Sequence, residues 1–169
     1  MKAVDYIYKN FIIGVYNSQE CIDNDDGSRY YNTSFNFLVY ADYGLKSDFG
    51  GHDNYYHDNI LAYINNMCFG INTFYSTNID MFYNNQCIMN HKGPSFYGNF
   101  NCSSPMNAWP ILGNNIIECE NCNSTSTGLC GLNQIEFQKT YNYDLGTTIS
   151  DWPNNTLLLQ KAQNMIFSE

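Results

Sequence analysis

An asparagine followed at once by a short apolar run recurs along the chain, as in Asn36-Phe-Leu-Val and Asn59-Ile-Leu-Ala. Successive asparagines of this kind are 26, 23, 26 and 30 residues apart, and they are Asn10, Asn36, Asn59, Asn85 and Asn115. The apolar runs are continuous, whereas the strands of a β-sandwich alternate strictly, so strands buried on both faces are favoured. The pattern predicts an all-β fold, a parallel β-helix solenoid of about six coils.

The pattern changes after residue 150, where apolar residues fall at helical spacing. These residues are Leu158, Ala162, Met165 and Ile166. Asn155 or Thr156 is placed to cap such a helix. We expect a short C-terminal helix that covers the last coil, because an open solenoid end exposes strand edges. The sequence therefore predicts a β-helix over residues 1–150, as the C-terminal part of a longer solenoid, and a capping helix over 151–169.

The composition explains why asparagine recurs. The 169 residues include 26 asparagines, 15 tyrosines and 11 phenylalanines. Asparagine disfavours helix interiors, while tyrosine and phenylalanine favour strands, so a helical bundle is excluded. In a right-handed parallel β-helix, neighbouring strands lie about 4.8 Å apart, and asparagines at one corner stack and hydrogen-bond along the column. We call the five asparagines named above the Asn ladder, and we expect it to hold the coils in register.

Charge and hydropathy exclude two classes of partner. Seven Lys+Arg against sixteen Asp+Glu give a formal net charge of −9, which has the wrong sign for binding a nucleic-acid backbone. No apolar stretch reaches the roughly 18 residues of a membrane span, so none is predicted. Seven cysteines indicate an oxidising compartment, and an extracellular, secreted protein is expected although no signal peptide is visible in the given chain.

A zinc site is the alternative use of the cysteines. Cys119-x-x-Cys122, together with Cys130 and His91, provides suitable ligand types. A second Cys pair at the spacing of a zinc ribbon is missing, so the spacing favours disulfides or buried thiols. We therefore predict no metal at these residues.

Two acidic segments carry the candidate chemistry, residues 21–31 and 44–54. Asp25 lies eleven residues before Asn36, and Asp48 lies eleven before Asn59, so the two carboxylates are expected on neighbouring turns about 5 Å apart. That spacing suits a retaining glycosidase, whose nucleophile and acid/base lie about 5 to 5.5 Å apart. The distance from each carboxylate back to the ladder asparagine that precedes it is not the same for the two, and the difference is three residues. This register therefore stays open.

The same count places other residues side by side. Asp23 falls beside Lys46, and Arg29 falls beside His52. We predict that Lys46, Arg29, His52, Asp53 and Tyr30 bind a poly- or oligosaccharide.

The segments Asp23-Asn-Asp-Asp-Gly-Ser and Gly44-Leu-Lys-Ser-Asp-Phe-Gly-Gly-His-Asp resemble motifs of the pectate-lyase-like superfamily of right-handed parallel β-helix proteins. They are also similar to the two catalytic motifs of β-helix xylosidases. The resemblance implies a carbohydrate-active protein without an organic cofactor, with Asp25 or Asp26 as nucleophile and Asp48 as acid/base. Asp48 lies two residues after Lys46, whereas the glutamate of the family motif lies three after its lysine.

Two alternatives remain open at the sequence level. A polysaccharide lyase would hold Ca²⁺ with Asp25, Asp26 and Asp48, because hard oxygen ligands suit that ion, and would use Lys46 or Arg29 as base. The Asp-Asp-Gly-Ser run is also a good turn, in which Gly27 supplies a positive φ. In that case the acidic residues are structural, and the chain is a non-catalytic solenoid of a cell surface or extracellular matrix.

Overall fold

Twelve parallel strands in two sheets form the framework of the described residues. The computed structural model describes residues 3–47, 49–72, 74–77, 79–90, 96–123 and 128–168, with the backbone alone at 15–18. The strands are β1 (Asp5–Tyr8), β2 (Phe11–Asn24), β3 (Tyr31–Ser34), β4 (Phe37–Ser47), β5 (Tyr55–His57), β6 (Ile60–Ile71), β7 (Met81–Tyr83), β8 (Gln86–Met89), β9 (Tyr97–Gly98), β10 (Ile111–Gly113), β11 (Ile116–Glu118) and β12 (Thr148–Ser150). The helices are α1 (Gln134–Tyr141) and α2 (Asn155–Phe167), and short 3₁₀ turns span Met106–Ala108 and Leu129–Gly131.

Each turn contributes one strand to each sheet. The first sheet has the order β1-β3-β5-β7-β10, the second has the order β12-β11-β8-β6-β4-β2, and β9 extends the second by pairing with β6. The fold is therefore an all-parallel β-solenoid, as predicted. It has about four turns and not six, because the five ladder asparagines bound four intervals and α1 occupies the interval after Asn115.

The Asn ladder is confirmed and forms the buried corner between the two sheets. Each Nδ2 donates to the Oδ1 of the next asparagine, at 2.9 Å from Asn10 and from Asn36, 3.0 Å from Asn59 and 3.2 Å from Asn85. The ladder ends on a different residue, because the backbone N–H of Asn115 donates to Thr147 Oγ1 at 3.0 Å. The side chains therefore satisfy backbone donors that a sharp corner removes from the sheets.

Alternate residues of each strand point into the solenoid. Leu38, Leu61, Cys87 and Ile117 form one buried column, and the Tyr56 and Phe82 rings stack at 4.5 Å. On the second sheet the outward residues Phe37, Ile60 and Ile88 pack under Leu158 and Ala162 of α2. The continuous apolar runs arise because both faces of the second sheet are covered.

The C-terminal helix forms, but it lies in a different place from the one predicted. It packs along the outer face of the second sheet and not over the last coil, because that face carries the outward apolar residues that need cover. The cap also differs: Asn154 is the N-cap, and its side chain accepts hydrogen bonds from the N–H of Thr156 at 2.9 Å and of Leu157 at 3.3 Å.

The cysteines form disulfides, as the spacing favoured. The pairs are Cys68–Cys87, Cys102–Cys130 and Cys119–Cys122. His91, the fourth residue of the zinc alternative, lies outside the described residues. Three disulfides are compatible with an extracellular location. None of the helices in the described ranges has the length and apolar character needed to cross a bilayer.

Cys21 is expected to be unreactive in the native protein. It forms no disulfide, and burial raises the pKa of its thiol to about 12, so almost no thiolate exists at pH 8. Iodoacetamide should leave the native protein unmodified and label one thiol per chain after unfolding in guanidinium, as measured by intact mass. Labelling of the native chain at the rate of the unfolded chain would show that Cys21 is accessible.

Candidate functional site

The Asp-Asp-Gly-Ser run folds as a tight turn at the end of β2. The N–H of Ser28 donates to Asp25 O at 2.9 Å, and the N–H of Asp26 donates to Asp25 Oδ1 at 2.9 Å. Gly27 has φ +74° and donates its N–H to Phe49 O on the next turn at 3.0 Å. Asp25 and Asp26 are exposed, and one carboxylate oxygen of Asp25 stabilises the turn.

The register of this corner agrees with the count made backward from the ladder. Asp23 pairs with Lys46, Asn24 pairs with Ser47, and a bridge joins Arg29 to His52. The difference of three residues is absorbed inside β2, where the pairing shifts between Val15 and Glu20. Asp48 lies outside the described residues, so its distance from Asp25 remains a prediction.

Four of the predicted binding residues meet at this corner. The Arg29 guanidinium carbon lies 5.6 Å from the centroid of the Tyr30 ring, and the Tyr30 and His52 rings meet edge to face at 5.9 Å. His52 Nδ1 lies 3.1 Å from Asp53 Oδ2, which orients the imidazole. The corner therefore combines a cation, an imidazole, a carboxylate and an aromatic ring.

A buried carboxyl lies behind this corner. Asp80 is 3% exposed, and its Oδ1 accepts a hydrogen bond from the N–H of Asn54 at 2.8 Å. Burial raises the pKa of Asp80, and the hydrogen bond from the N–H of Asn54 together with the charge of His52 opposes that rise. Neither sequence spacing nor resemblance indicates this residue.

Lys46 belongs to a second part of the site, on the outer side of the long strands β2, β4 and β6. Its Nζ lies 3.3 Å from Glu20 Oε1 and 3.3 Å from Asp23 Oδ2. The Glu20 side chain is only 6% exposed, the Lys46 side chain 14% and the Asp23 side chain 32%. The three groups therefore form a partly buried cluster in which one ammonium bridges two carboxylates.

Lys46 and Glu20 of this cluster form part of the lining of an open groove of about 320 Å³. We call it the Lys46 groove, and its lining residues are Gln19, Glu20, Tyr43, Lys46, Phe49, Met67, Gly70, Asn72 and Asn99. Gly70 pairs with Lys46 in the register, and a Cβ at Gly70 would come 3.3 Å from Lys46 Cγ. The glycine therefore leaves room beside the lysine. Asn99 Nδ2 donates to Asn72 Oδ1 at 2.7 Å, which fixes two amides at the rim.

Glu20 is the functional candidate that the sequence could not indicate. It lies three residues before Asp23, and residues three apart point to opposite faces of a regular strand. No shift of pairing separates the two residues, since Glu20 pairs with Tyr43 and Asp23 pairs with Lys46 in one register. The ammonium of Lys46 nevertheless reaches both carboxylates, a contact that strand periodicity does not predict.

In the part of the chain that is described, no group of three or more His, Cys, Asp or Glu side chains is arranged to hold a metal ion. Of the predicted Ca²⁺ ligands, Asp25 and Asp26 are exposed turn residues.

No family model matches the chain, and neither a curated protein nor a solved structure matches it.

Proposed function

We propose that this chain is a carbohydrate-active β-solenoid that binds a neutral poly- or oligosaccharide in the Lys46 groove. The observation that carries the proposal is that Lys46, which contacts the carboxylates of Glu20 and Asp23, lines an open groove together with Glu20. Sugar hydroxyls both donate and accept hydrogen bonds, and a fixed ammonium beside two carboxylates offers both functions at one place. Tyr43 and Phe49 add apolar surface on which the carbon faces of sugar rings pack.

The local charge favours a neutral sugar over a uronate. Lys46 contributes one positive charge to the cluster, and Glu20 and Asp23 contribute two negative charges. An acidic polymer would meet net negative charge there, in a chain whose formal charge is already −9. The net negative charge of the cluster therefore favours binding of a neutral glycan over the activity of a Ca²⁺-dependent lyase.

Cleavage is the finer part of the proposal, and the groove offers a second carboxylate pair for it. Glu20 Oε1 and Asp23 Oδ2 each lie 3.3 Å from the same nitrogen, so they lie within twice that distance of each other. A retaining glycosidase needs carboxyl groups about 5 to 5.5 Å apart, which is inside that limit. The positive charge of Lys46 favours the ionised form of both carboxylates, whereas a general acid must be protonated. We therefore propose glycan binding as the first function of this site and hydrolysis as the second.

The resemblance to β-helix glycosidases supports the other pair, with Asp25 or Asp26 as nucleophile and Asp48 as acid/base. The turn made by Asp25 favours the alternative in which this segment is structural and the solenoid is a surface or matrix component. The two readings differ in what Asp25→Asn and Asp26→Asn do to cleavage.

Replacing Lys46 should weaken glycan binding about tenfold or more, because a charge-assisted hydrogen bond contributes about 1.5 to 3 kcal/mol. Calorimetric titration with neutral xylo-, gluco- and manno-oligosaccharides, and with oligogalacturonate, measures the affinity. Lys46→Met alone leaves Glu20 buried without its cation, so the double variant Glu20→Gln/Lys46→Met is the fold-preserving form. Lys139→Met, on the exposed side of α1, is the matched control and should bind as the wild type does.

Absence of wild-type affinity for every neutral oligosaccharide would refute the proposal, as would equal binding by the groove variants. Reducing-end release on the same sugars tests cleavage. Loss of release in Glu20→Gln and Asp23→Asn assigns the reaction to the groove, whereas loss in Asp25→Asn, Asp26→Asn or Asp48→Asn assigns it to the turn.

A further inference from the structure

The outer face of the first sheet carries straight lines of side chains. The pairings β1–β3, β3–β5, β5–β7 and β7–β10 run without a register shift, so residues of equal register stack across the five strands. One outward line is Tyr6, Asn32, Tyr55, Met81 and Ile111, and the other is Tyr8, Ser34, His57, Tyr83 and Gly113. We call these two lines together the tyrosine face.

Aromatic rings remain exposed along both lines. Tyr6 is 65% exposed, Tyr8 57%, Tyr55 42% and Tyr83 40%, and Ile111 at the far end is 43% exposed. Between the two lines, Thr33, Tyr56, Phe82 and Leu112 are buried and Ile7 is half-buried, so these residues face the interior. A regular row of exposed rings on a sheet is an interaction surface and not surplus core.

The spacing along the first line fits a sugar polymer. Tyr6 and Tyr55 lie on strands two apart, which places the rings about 10 Å apart at the usual strand spacing. That is the length of two hexose units along an extended β-1,4-linked chain, in which alternate sugars present the same face. Two tyrosines at this separation can therefore stack on every second sugar of one straight chain.

Polar groups lie between the rings, and formal charges are missing from both lines. Asn32 lies on the strand between Tyr6 and Tyr55, and its Oδ1 is 3.0 Å from His57 Nε2. The two lines contain no Asp, Glu, Lys or Arg, so nothing in them attracts an ionic ligand. Aromatic rings interleaved with amide and imidazole groups match the alternating apolar and hydroxyl faces of a neutral sugar chain.

We propose that the tyrosine face docks the flat surface of an extended, neutral β-1,4-linked hexose polysaccharide, with Tyr6 and Tyr55 stacked on alternate sugars. The five strands side by side present an extended surface, which suits the surface of an insoluble polymer better than a single soluble chain. The tyrosine face shares no residue with the Lys46 groove, and its ligand does not depend on the groove.

Depletion binding to washed particles tests the proposal. The polymers are cellulose, chitin and β-mannan, and starch granules supply an α-linked polymer whose chain is curved. The wild type should bind the β-linked particles, and Tyr6→Ala/Tyr55→Ala should bind about a hundredfold more weakly, since each stacked ring contributes about tenfold. Tyr55→Phe keeps the ring and should retain binding. Phe167→Ala, which removes a ring that is 79% exposed on α2, should also retain it.

The outcomes separate this inference from the groove. Glu20→Gln/Lys46→Met should bind particles as the wild type does, and Tyr6→Ala/Tyr55→Ala should bind soluble oligosaccharides as the wild type does. Failure of the wild type to bind any β-linked particle overturns the inference and leaves the groove proposal unaffected. Equal binding of the wild type to starch also overturns the inference. So does a loss of self-association in sedimentation when the tyrosines are replaced, because it would show that the face is an interface between copies of this chain.

Discussion

Asn59→Leu is expected to lower the free energy of unfolding by about 4 kcal/mol, because it leaves several buried polar groups without partners. Asn59 Nδ2 donates to Thr33 O at 2.8 Å and to Asn85 Oδ1 at 3.0 Å. Its Oδ1 accepts from both the N–H and the Nδ2 of Asn36, at 3.1 and 2.9 Å. Leucine has nearly the same shape, so the loss measures hydrogen bonds and not a cavity. Urea unfolding followed by circular dichroism gives the value.

Two controls make this prediction specific to the ladder. Asn10 is the exposed first member and donates through its side chain to Asn36, so Asn10→Leu should cost only about 1 kcal/mol. Asn164 is exposed on α2, and Asn164→Leu should change stability by less than about 0.5 kcal/mol. Equal losses at Asn10 and Asn59 would mean that the ladder is not what holds the turns together.

The ladder explains why so much of this fold was predictable. A solenoid repeats one corner, and a single residue type meets the hydrogen-bonding needs of that corner at every turn, so spacing alone indicated the register. The pairings Asp23 with Lys46 and Arg29 with His52 followed from that register and are confirmed. Local sequence carries this information because neighbouring turns have the same backbone.

Features set by tertiary packing were not predictable in the same way. The amphipathic spacing of α2 predicted a helix, but its docking site depends on which strand faces are left uncovered, which requires the sheets. The number of turns was too high because α1 interrupts the repeat after Asn115, and its capping box at Asn133 and Glu136 went unrecognised in the sequence. Disulfide pairing likewise depends on which turns stack.

The candidate site shows the same division. Arg29 and His52 were placed together by counting, because no irregularity separates them from the ladder, and Tyr30 and Asp53 lie beside them in sequence. Glu20 was missed because the long side chain of Lys46 reaches a carboxylate three residues away from its register partner Asp23. Strand periodicity places residues three apart on opposite faces, so it gives no sign of this contact.

Asp144 is expected to make the protein less stable as the pH rises from about 4 to about 6. It is 1% exposed, and it accepts hydrogen bonds from Tyr97 Oη at 3.0 Å, Gln134 Nε2 at 2.7 Å and Thr147 Oγ1 at 2.5 Å. These donors come from three different segments around the last turn. Burial raises the pKa of Asp144 to about 6, against an ordinary value of 3.8, and the hydrogen bonds only partly oppose the rise.

The sign follows from proton binding. Between the two pKa values the native state holds a proton that the unfolded state has lost, so the free energy of unfolding falls as pH rises. A difference of about two pKa units corresponds to a contribution of about 3 kcal/mol to the free energy of unfolding. This contribution is present in full below pH 4 and is lost above pH 6. Burial also raises the pKa values of Asp80 and Glu118, which contribute in the same direction.

Asp144→Asn isolates this contribution, because asparagine keeps an acceptor oxygen and carries no charge at any pH. Relative to the wild type, the variant should gain about 3 kcal/mol of unfolding free energy between pH 4 and pH 7, measured by urea unfolding at several pH values. Exposed Asp151→Asn should run parallel to the wild type. A wild-type to Asp144→Asn difference that stays constant with pH would show that the pKa of Asp144 is the same in the native and unfolded states. Its three hydrogen-bond donors would then offset its burial, and Asp144 would contribute no pH dependence to stability.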